Sequence, residues 1–339
     1  MINAPLKSDP SRLLRYRDSI YASDLLVCAV AYFDFFTFLK DSSRTFDEIC
    51  ENFETDSRPI DVMLSLFLAM GLIKKAGREY KLTDISREYL VSDSPESLVP
   101  YYASLKNRPQ CKEFQGVLKT GRPSGWSSKE DGIDWLEAMR EGRFADDFTS
   151  AMDSRGAFLA QELAEHIDLR KKFSLLDVAG GSGVYACSIS HRYRHLNTAV
   201  LEIPPVDKAA QRSIASKGMS GRVKVIAGDM FKDIPKGYEV HLFAHVFHDW
   251  DVDSVRKLAA NSFSGLAPGG SIVVFDAHLN ANKSGPLTVA EYSCLLMHST
   301  EGRCYSTKEI GEILQKAGFT GITVTKVAAE RSMIIGNKI

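Results

Sequence analysis

The sequence predicts a mainly α N-terminal domain with a winged-helix pattern, followed by an α/β domain built on a doubly wound, Rossmann-like parallel sheet. Two observations lead to this fold class. The first half of the chain carries apolar residues at helical spacing, with one hairpin signal among them. From Phe173 onward, short apolar runs alternate with helical segments, which is typical of a parallel sheet covered on both faces. At 339 residues the chain is also long enough for two domains.

The N-terminal domain is predicted over residues 1–96. Ser11 to Leu39 is predicted to be helical, two short helices follow from Thr45 and from Arg58, and residues 72–83 are predicted to form a hairpin. The order helix, helix, hairpin is the winged-helix pattern, which in other proteins binds DNA. Here the second helix has no Lys or Arg after Arg58 and is mostly apolar. It therefore favours a dimerisation or scaffold role over contacts to base edges.

Residues 97–167 are predicted to form a helical linker that also lines the substrate pocket, because this region is rich in aromatic side chains. Aromatic residues and Met at helical spacing usually pack in a core. Beside a ligand they can also form the wall of a pocket. We predict four substrate-binding residues, two from this region and two from later in the chain: Phe148, Met152, Tyr292 and His298.

The composition limits the possible partners and compartment. The 42 basic and 43 acidic residues leave a net charge of -1, so no general attraction to nucleic acid or to an anionic membrane is expected. The six cysteines show no CxxC spacing and are expected to be free thiols in a reducing compartment. No apolar run approaches the roughly 20 residues that a membrane helix needs. We therefore expect a cytoplasmic protein with neither a nucleic-acid nor a membrane partner.

The α/β domain is predicted over residues 168–339. Its strands are expected near residues 173–179, 197–202, 222–227, 239–245 and 270–276. Helices are expected between them, near residues 184–194, 205–217 and 252–264, and a further helix and two strands complete the chain. In sheets of this kind, ligands bind at the carboxyl ends of the strands.

The first of these strands ends in a glycine-rich turn, AGGSG, at residues 179–183. Its glycines permit a sharp turn and the close approach of a ligand, while the start of the following helix offers free amides. Glu202 ends the second strand, nineteen residues after Gly183, where a carboxylate can accept both hydroxyls of a ribose. The turn and this acid together predict a site for a nucleotide-containing ligand.

The later strands also end in side chains that can do chemistry. In the motif GDMF, residues 228–231, Asp229 can accept from an exocyclic amine of a base, and Met230 and Phe231 can flank a planar ring. An Asp that caps the next turn, followed by two core apolar residues, explains the motif equally well. The fourth strand ends in AHVFHDWD, which contains His248, and the fifth ends at Asp276.

As an ordered set, the motifs DVAGGSG, LEIPPV, GDMF, HVFHDWD and LAPGGSIVVFDAHL resemble the S-adenosylmethionine-dependent O-methyltransferases of the caffeate, hydroxyindole and polyketide-tailoring type. The resemblance covers nearly the whole chain. It implies a winged-helix dimerisation domain, a class I methyltransferase domain and a homodimer. It further implies S-adenosylmethionine as the cofactor, an aromatic or conjugated hydroxyl on a small molecule as the acceptor, and no metal.

The resemblance also implies a role for each motif residue. His248 would be the general base and Asp276 the acid group that orients it. Within the cofactor site, the glycines would lie against the methionine and ribose, Glu202 would accept the ribose hydroxyls, and Trp250 would pack near the cofactor. The implied cofactor-binding set is Asp177, Gly180, Gly181, Gly183, Glu202, Asp229, Met230 and Trp250.

Several positions depart from the family pattern. Ala179 stands in place of a glycine, which is harmless if its φ is negative. Ala244 and His245 stand where relatives often carry a Lys or Arg near the cofactor carboxylate. Neither Glu301 nor Cys304 matches the position of a second acidic partner for the catalytic histidine, and His298 is an alternative partner.

Three other functions agree with parts of the sequence. In a metal-assisted enzyme on the same scaffold, the candidate ligands are His248, Asp249, Asp276 and His298. Some relatives bind S-adenosylmethionine without transferring its methyl group and carry out decarboxylation or hydroxylation instead. A DNA-binding regulator would use the winged helix, and the apolar character of its second helix argues against this function.

Overall fold

The computed structural model describes residues 8–124 and 142–339, with the side chains of 142–146 left out. The chain forms two compact units, and each is made of separate stretches of sequence. The first unit contains residues 8–14, 142–278 and 307–339, and the second contains residues 15–124 and 279–306. This division differs from the three continuous segments predicted from the sequence, because residues 279–306 pack with the N-terminal part of the chain.

The elements up to residue 124 are mainly helical, as the sequence predicts. The helices are α1 (Ser11–Asp18), α2 (Ala22–Ala31), α3 (Phe35–Phe38), α4 (Phe46–Phe53), α5 (Ser57–Ala69), α6 (Asp84–Tyr89), α7 (Val99–Ala103) and α8 (Pro109–Thr120). The strands β1 (Arg44–Thr45), β2 (Ile73–Ala76) and β3 (Glu79–Leu82) form a small antiparallel sheet in the order β1-β3-β2. A capping box at Thr45 begins α4. The Thr45 hydroxyl accepts from the Glu48 backbone amide, and the Glu48 carboxylate accepts from the Thr45 backbone amide.

Helix α5 turns its apolar face into the core of the second unit. Ile60, Met63 and Phe67 are buried there. The one basic residue of α5, Arg58, points inward as well: its guanidinium donates to the carbonyl oxygens of Met297, Thr300, Gly302 and Gly121 at 2.8 to 3.1 Å. Because this cation is used inside the unit, α5 offers no basic side chain to a nucleic acid.

The later stretch of the second unit, residues 279–306, is held by charged contacts to the earlier one. It contains helix α13 (Leu287–Ser299). Asp61 of α5 accepts from Lys283 at 2.7 Å and pairs with Arg303 at 3.2 Å. These contacts and those of Arg58 tie both ends of α13 to α5.

The first unit contains a seven-stranded sheet in the order β6-β5-β4-β7-β8-β10-β9. Its strands are β4 (Ser174–Val178), β5 (Asn197–Glu202), β6 (Val223–Ala227), β7 (Val240–Ala244), β8 (Ser271–Asp276), β9 (Thr320–Lys326) and β10 (Ser332–Asn337). Its helices are α9 (Gly142–His166), α10 (Val184–Arg192), α11 (Val206–Ser216), α12 (Val252–Gly265) and α14 (Thr307–Lys316). Strands β4 to β8 run parallel, and β10 is antiparallel to both of its neighbours. The predicted strands and helices of this region are confirmed.

The inner strands are buried on both faces, as expected for a parallel sheet between helices. Every residue of β7 and β8 is buried. Helix α9 packs closely on α10 because Gly156 has no side chain: a Cβ there would lie 2.5 Å from the Val184 side chain. The N-terminal end of α10, which follows the glycine-rich turn, is thereby fixed in place.

Two composition-based expectations can be compared with the structure. All six cysteines are free, as predicted. Among the described helices, none has both the length and the apolar character required to cross a bilayer.

Candidate active site

The carboxyl ends of β5, β4, β7 and β8 lie side by side at one edge of the parallel sheet. The glycine-rich turn leaves this edge after β4. Of its glycines, Gly180 and Gly183 are needed for packing, because a Cβ would lie 2.7 Å from the Asp177 carboxyl group and 2.9 Å from Ile214 respectively. Gly181 has a φ of 55° and nothing within 4 Å of its Cβ position. The open space that a ligand needs is therefore at Gly181.

Ala179 does not have the negative φ that would make an alanine harmless at this position. Its φ is 55°, in the left-handed region, which costs a residue with a Cβ roughly 1–2 kcal/mol. The backbone holds it there because its amide donates to Leu201 of β5 at 2.9 Å. The start of the turn is thus strained where a glycine would not be.

Asp177 lies beneath the turn and is fully buried. Its carboxylate accepts from the amide of Ala186, in the first turn of α10, at 3.2 Å. Burial raises the pKa of this carboxyl group to about 7. The structure thus places Asp177 as a support between β4 and α10, and its predicted contact with the cofactor stays a prediction.

Glu202, at the end of β5, is oriented by two backbone amides. One carboxylate oxygen accepts from Gly181 at 2.8 Å and the other from Ile203 at 2.9 Å. The residue is 6 % exposed, and burial raises its pKa to about 7 against the opposing effect of the two amides. Each oxygen keeps a further lone pair for a hydroxyl donor.

The GDMF motif after β6 forms a local turn. The Asp229 carboxylate accepts from the Phe231 amide at 2.9 Å, which is the turn-capping arrangement that the sequence left open as an alternative. Asn261 donates to the carbonyl oxygen of Met230 at 3.0 Å and so fixes the turn. The Phe231 and Trp250 rings meet edge to face at 4.7 Å. The roles of Asp229, Met230 and Trp250 toward an adenine stay predictions.

His248 and Asp276 are brought together at the ends of β7 and β8. His248 lies in a short 3₁₀ turn, Phe247–Asp249, and its Nδ1 is 2.5 Å from Asp276 Oδ1. The same oxygen accepts from the Ala277 amide at 2.8 Å. Burial alone lowers the pKa of His248, but the carboxylates of Asp276 and Asp249 raise it above its ordinary value. In turn, His248 holds the pKa of the buried Asp276 well below its usual range.

His245 is a third member of this group, and the sequence indicated it only as a departure from the family pattern. Its Nδ1 is 3.4 Å from the same Asp276 oxygen that His248 contacts. Burial holds the pKa of its imidazole well below the ordinary value. In the sequence, the only indication of this grouping is the spacing of the two histidines in HVFH. That spacing does not by itself show that both side chains lie near one carboxylate.

Two of the ligands proposed for a metal-assisted enzyme, His248 and Asp276, lie together in the first unit. His248 and Asp276 meet with His245, while the Asp249 carboxylate lies 3.5 Å from His248 Nε2 and is 44 % exposed. A separation of 2.5 Å between Nδ1 and Oδ1 is that of a hydrogen bond, whereas two atoms bound to one metal ion at ~2.0–2.2 Å stand further apart.

The predicted substrate-binding residues occupy two helices. Phe148 and Met152 lie on α9 and are half-buried. Tyr292 and His298 lie on α13 and are buried. His298 Nε2 contacts Glu113 at 2.7 Å, and its ring stacks on Tyr21 at 4.4 Å. Their contact with an acceptor stays a prediction.

The residues considered as a second partner of the catalytic histidine all lie in the second unit. His298 already contacts Glu113, as described above. Cys304 is buried, and its amide donates to the Ser293 hydroxyl at 3.1 Å. Glu301 is half-buried. None of these contacts assigns the second partner.

Comparison with known proteins decides the family. A family model described as the O-methyltransferase domain matches residues 113–320, which is more than half of the 339-residue chain. The chain belongs to the O-methyltransferase family. The enzyme is therefore an S-adenosylmethionine-dependent methyltransferase, as the motifs predict.

Three similar proteins illustrate the range of this family. A 3-hydroxy-5-methyl-1-naphthoate 3-O-methyltransferase from Streptomyces sahachiroi is 25 % identical over 96 % of this chain and 94 % of its own. An L-tyrosine C(3)-methyltransferase from Streptomyces lavendulae is 31 % identical over 80 % of this chain and 76 % of its own. The crystal structure of an O-methyltransferase family 2 protein from Planctomyces limnophilus in complex with apigenin superposes with a TM-score of 0.88, at 27 % identity, covering 98 % of this chain and 97 % of that one.

The described residues of this O-methyltransferase fit S-adenosylmethionine. Gly181 leaves open space at the turn, and Glu202 presents two oriented oxygens beside it. A carboxylate in this position suits a ribose diol, which has two hydroxyl donors and is neutral. The buried His248 and Asp276 stand at the same edge of the sheet.

We expect Ala179→Gly to stabilise the protein, because glycine adopts a φ of 55° without the cost that alanine bears. The free energy of unfolding should rise by about 0.5–1 kcal/mol after the greater chain entropy of glycine is subtracted. Denaturant unfolding of the two proteins measures the difference. Ala215→Gly, in the exposed part of α11, is the control and should lower stability. Equal losses in both variants would contradict a strained Ala179.

Proposed function

We propose that this enzyme transfers a methyl group to the hydroxyl oxygen of a small aromatic or conjugated acceptor, with His248 as the general base. The observation that carries the proposal is the buried 2.5 Å contact between His248 Nδ1 and Asp276 Oδ1 at the carboxyl ends of adjacent strands. A phenol or enol is a poor nucleophile while it holds its proton. A positioned histidine that removes this proton contributes typically ~10²- to 10⁴-fold to the rate.

In this mechanism Asp276 fixes the tautomer of His248. With Nδ1 donating to the carboxylate, the lone pair of the neutral imidazole is on Nε2, which accepts the proton of the acceptor hydroxyl. Asp276 then stabilises the imidazolium, which is consistent with its raising the pKa of His248. Because the carboxylate has a strongly lowered pKa, it stays ionised throughout.

The cofactor would be held at the turn. When bound, S-adenosylmethionine would supply a sulfonium methyl group: the acceptor oxygen bonds to its carbon as the carbon–sulfur bond breaks in line, and S-adenosylhomocysteine leaves. We propose that Glu202 accepts its ribose hydroxyls, that Gly181 allows its close approach, and that Asp229, Met230 and Trp250 address its adenine. Holding both reactants in line can lower the barrier by up to roughly 7–11 kcal/mol.

The names of the relatives support oxygen as the methyl acceptor, but one of them names carbon. The Streptomyces sahachiroi relative is named a 3-O-methyltransferase, and the Streptomyces lavendulae relative a C(3)-methyltransferase. Incubating the enzyme with the cofactor and a panel of phenols and naphthols, each paired with its O-blocked analogue, distinguishes the two. O-transfer predicts products only from the free hydroxyl compounds, as identified by mass spectrometry. Decarboxylated or hydroxylated products would instead support the reaction without methyl transfer.

We also propose that the enzyme is a homodimer and works in the cytoplasm. Several large apolar side chains of the second unit are exposed, among them Tyr16 at 71 % and Tyr101 at 75 %. Exposed apolar side chains are common at interfaces between copies of a chain. The six free thiols agree with a reducing compartment.

Replacing His248 by Gln should lower the turnover number by about 10²- to 10⁴-fold, because no group remains to take the hydroxyl proton. The dissociation constant of S-adenosylhomocysteine, measured by calorimetry, should change little. His166→Gln, at the exposed end of α9, is the matched control and should keep normal turnover. Near-normal turnover of the His248 variant would refute the base mechanism.

Cofactor binding should release a proton from Glu202. Its pKa is about 7 before binding, so the carboxyl group is largely protonated at pH 6. Ribose hydroxyls donate to the ionised form, so binding lowers this pKa, and affinity should increase as pH rises toward 7 and then level off. Calorimetry of S-adenosylhomocysteine in buffers of different ionisation enthalpy measures the released proton.

Two variants test the assignment of that proton. Glu202→Gln should abolish the release and weaken binding. Glu165→Gln, which affects an exposed carboxylate paired with Arg192, should leave both unchanged. Proton release that persists in the Glu202 variant would assign it to another group.

Light scattering at micromolar concentration should give twice the mass of the chain. Tyr16→Glu places a charge on the proposed interface and should shift the enzyme toward monomer. Phe173→Glu alters an aromatic residue that is 66 % exposed in the first unit, and it should leave the dimer intact. A monomer mass for the unmodified protein would exclude the proposed dimer.

A further inference from the structure

Two histidines share one carboxylate oxygen in the active site. Asp276 Oδ1 lies 2.5 Å from His248 Nδ1 and 3.4 Å from His245 Nδ1. All three side chains are buried, and the two imidazole rings are 5.4 Å apart and tilted by 57°. The mechanism above uses His248 and leaves His245 without a role.

The surroundings of His245 keep it neutral. Its ring is packed near Tyr185 of α10, at 6.1 Å, and Phe275 of β8, at 5.6 Å. Burial lowers the pKa of the ring, and the positive charge of Arg155 on α9 lowers it further, while Asp276 acts in the opposite direction and His248 also lowers it. At a pH where His248 exchanges its proton, His245 therefore stays uncharged.

The tautomer of this neutral ring follows from its contacts. Neither ring nitrogen makes a well-aligned hydrogen bond within the described part of the chain, but Nδ1 lies 3.4 Å from a carboxylate oxygen. A hydrogen on Nδ1 faces that negative charge, whereas an Nδ1 lone pair would be repelled by it. With the hydrogen on Nε2, an N–H would be buried without an acceptor among the residues that the structure describes. The Nδ1–H form is thus favoured.

The backbone at His245 is strained in a way that serves this contact. Its φ is 57°, in the left-handed region that residues other than glycine adopt uncommonly, although Asn, Asp and His are enriched there. Its amide donates to Phe275 on the neighbouring strand at 2.9 Å, which holds the ring beside Asp276. Strain of this kind persists at functional sites when the surrounding structure enforces it.

We propose that His245 is a positioning residue for the reaction: with a neutral Nδ1–H facing Asp276 Oδ1 at 3.4 Å, it limits the effect of that carboxylate on His248. The proposal rests on the proposed role of His248 as the base. Oδ1 already accepts from His248 and from the Ala277 amide, and the positive end of the His245 N–H dipole is a further polar contact at 3.4 Å. It offsets part of the negative charge of the carboxylate, which disfavours the imidazolium form of His248.

The consequence concerns the availability of the base. A carboxylate at 2.5 Å raises the proton affinity of His248, and a histidine that is protonated before the substrate binds cannot accept the hydroxyl proton. Asp249 raises this affinity as well, while Arg155 opposes it. Like Arg155, His245 lowers the proton affinity of His248. The effect is small enough that the proton taken from the acceptor hydroxyl still resides on His248 and not on Asp276.

Nitrogen NMR of the unmodified enzyme tests the tautomer directly. With ¹⁵N-labelled histidine, the signals of His245 should be those of a neutral ring with hydrogen on Nδ1 and should not titrate through neutral pH. Hydrogen on Nε2, or a charged His245 at pH 7, would overturn the proposal. This measurement requires no turnover and no variant.

Two substitutions test the effect on His248. In Asn, Nδ2 is attached at the same place as the histidine Nδ1, so His245→Asn keeps a donor and also tolerates the left-handed backbone. His245→Leu places a methyl group there and has no donor. The pKa of His248, followed by the same NMR signals, should rise by about one unit in the Leu variant and stay near its original value in the Asn variant. An unchanged pKa in folded His245→Leu would refute the proposal, and if that variant does not fold, the tautomer measurement decides.

The pH dependence of methyl transfer separates this proposal from the assignment of the base. If His248 is the base, the rising limb of kcat/KM moves to higher pH in His245→Leu together with the NMR pKa. If the NMR pKa moves and the rate profile does not, then His248 is not the base, while the influence of His245 on it stands. A merely structural role of His245 predicts a loss of stability with neither value shifted.

Discussion

A buried carboxylate at the end of β8 sets the requirements for the active site. Asp276 is removed from water, so its charge must be balanced by nearby donors. The donors come from the adjacent strand end, through the 3₁₀ turn that carries His248, and from its own neighbour, the Ala277 amide. Because the strands are parallel, these groups arrive at the same edge as the glycine-rich turn. The order of strands in the sheet thus brings the proposed base and the proposed cofactor site together.

Much of the first unit could be predicted from the sequence, because local patterns determine it. Apolar runs of strand length alternate with helical segments, and the observed strands lie within the predicted ranges. The pairing of His248 with Asp276 could also be anticipated, since both follow adjacent strands and the family resemblance names them. In the N-terminal part, the Thr45 cap and the hairpin at residues 72–83 carry equally local signals.

Features that depend on contacts between residues distant in the chain could not be predicted from local sequence patterns. The left-handed conformation of Ala179 follows from its hydrogen bond to β5, and nothing in the residues around it indicates this. The motif does not show that the missing side chains of Gly180 and Gly183 make room for Asp177 and Ile214, and the predicted contact of these glycines with the cofactor stays a prediction. His245 lies near Asp276 with a positive φ, and neither feature is indicated by the residues around it. The compact units, made of discontinuous segments, likewise arise from contacts between residues more than 200 positions apart, such as Arg58 and Met297.

The inward-pointing Arg58 has a consequence for the order in which the protein forms on the ribosome. Three of its carbonyl partners belong to Met297, Thr300 and Gly302, which emerge after nearly nine-tenths of the 339 residues have been translated. Until then Arg58 remains hydrated and the apolar face of α5 lacks these partners, so the packing of the second unit is incomplete. Domains often fold one after another as they leave the ribosome, but here the N-terminal part of the chain must wait for the strands and helices encoded between its two stretches.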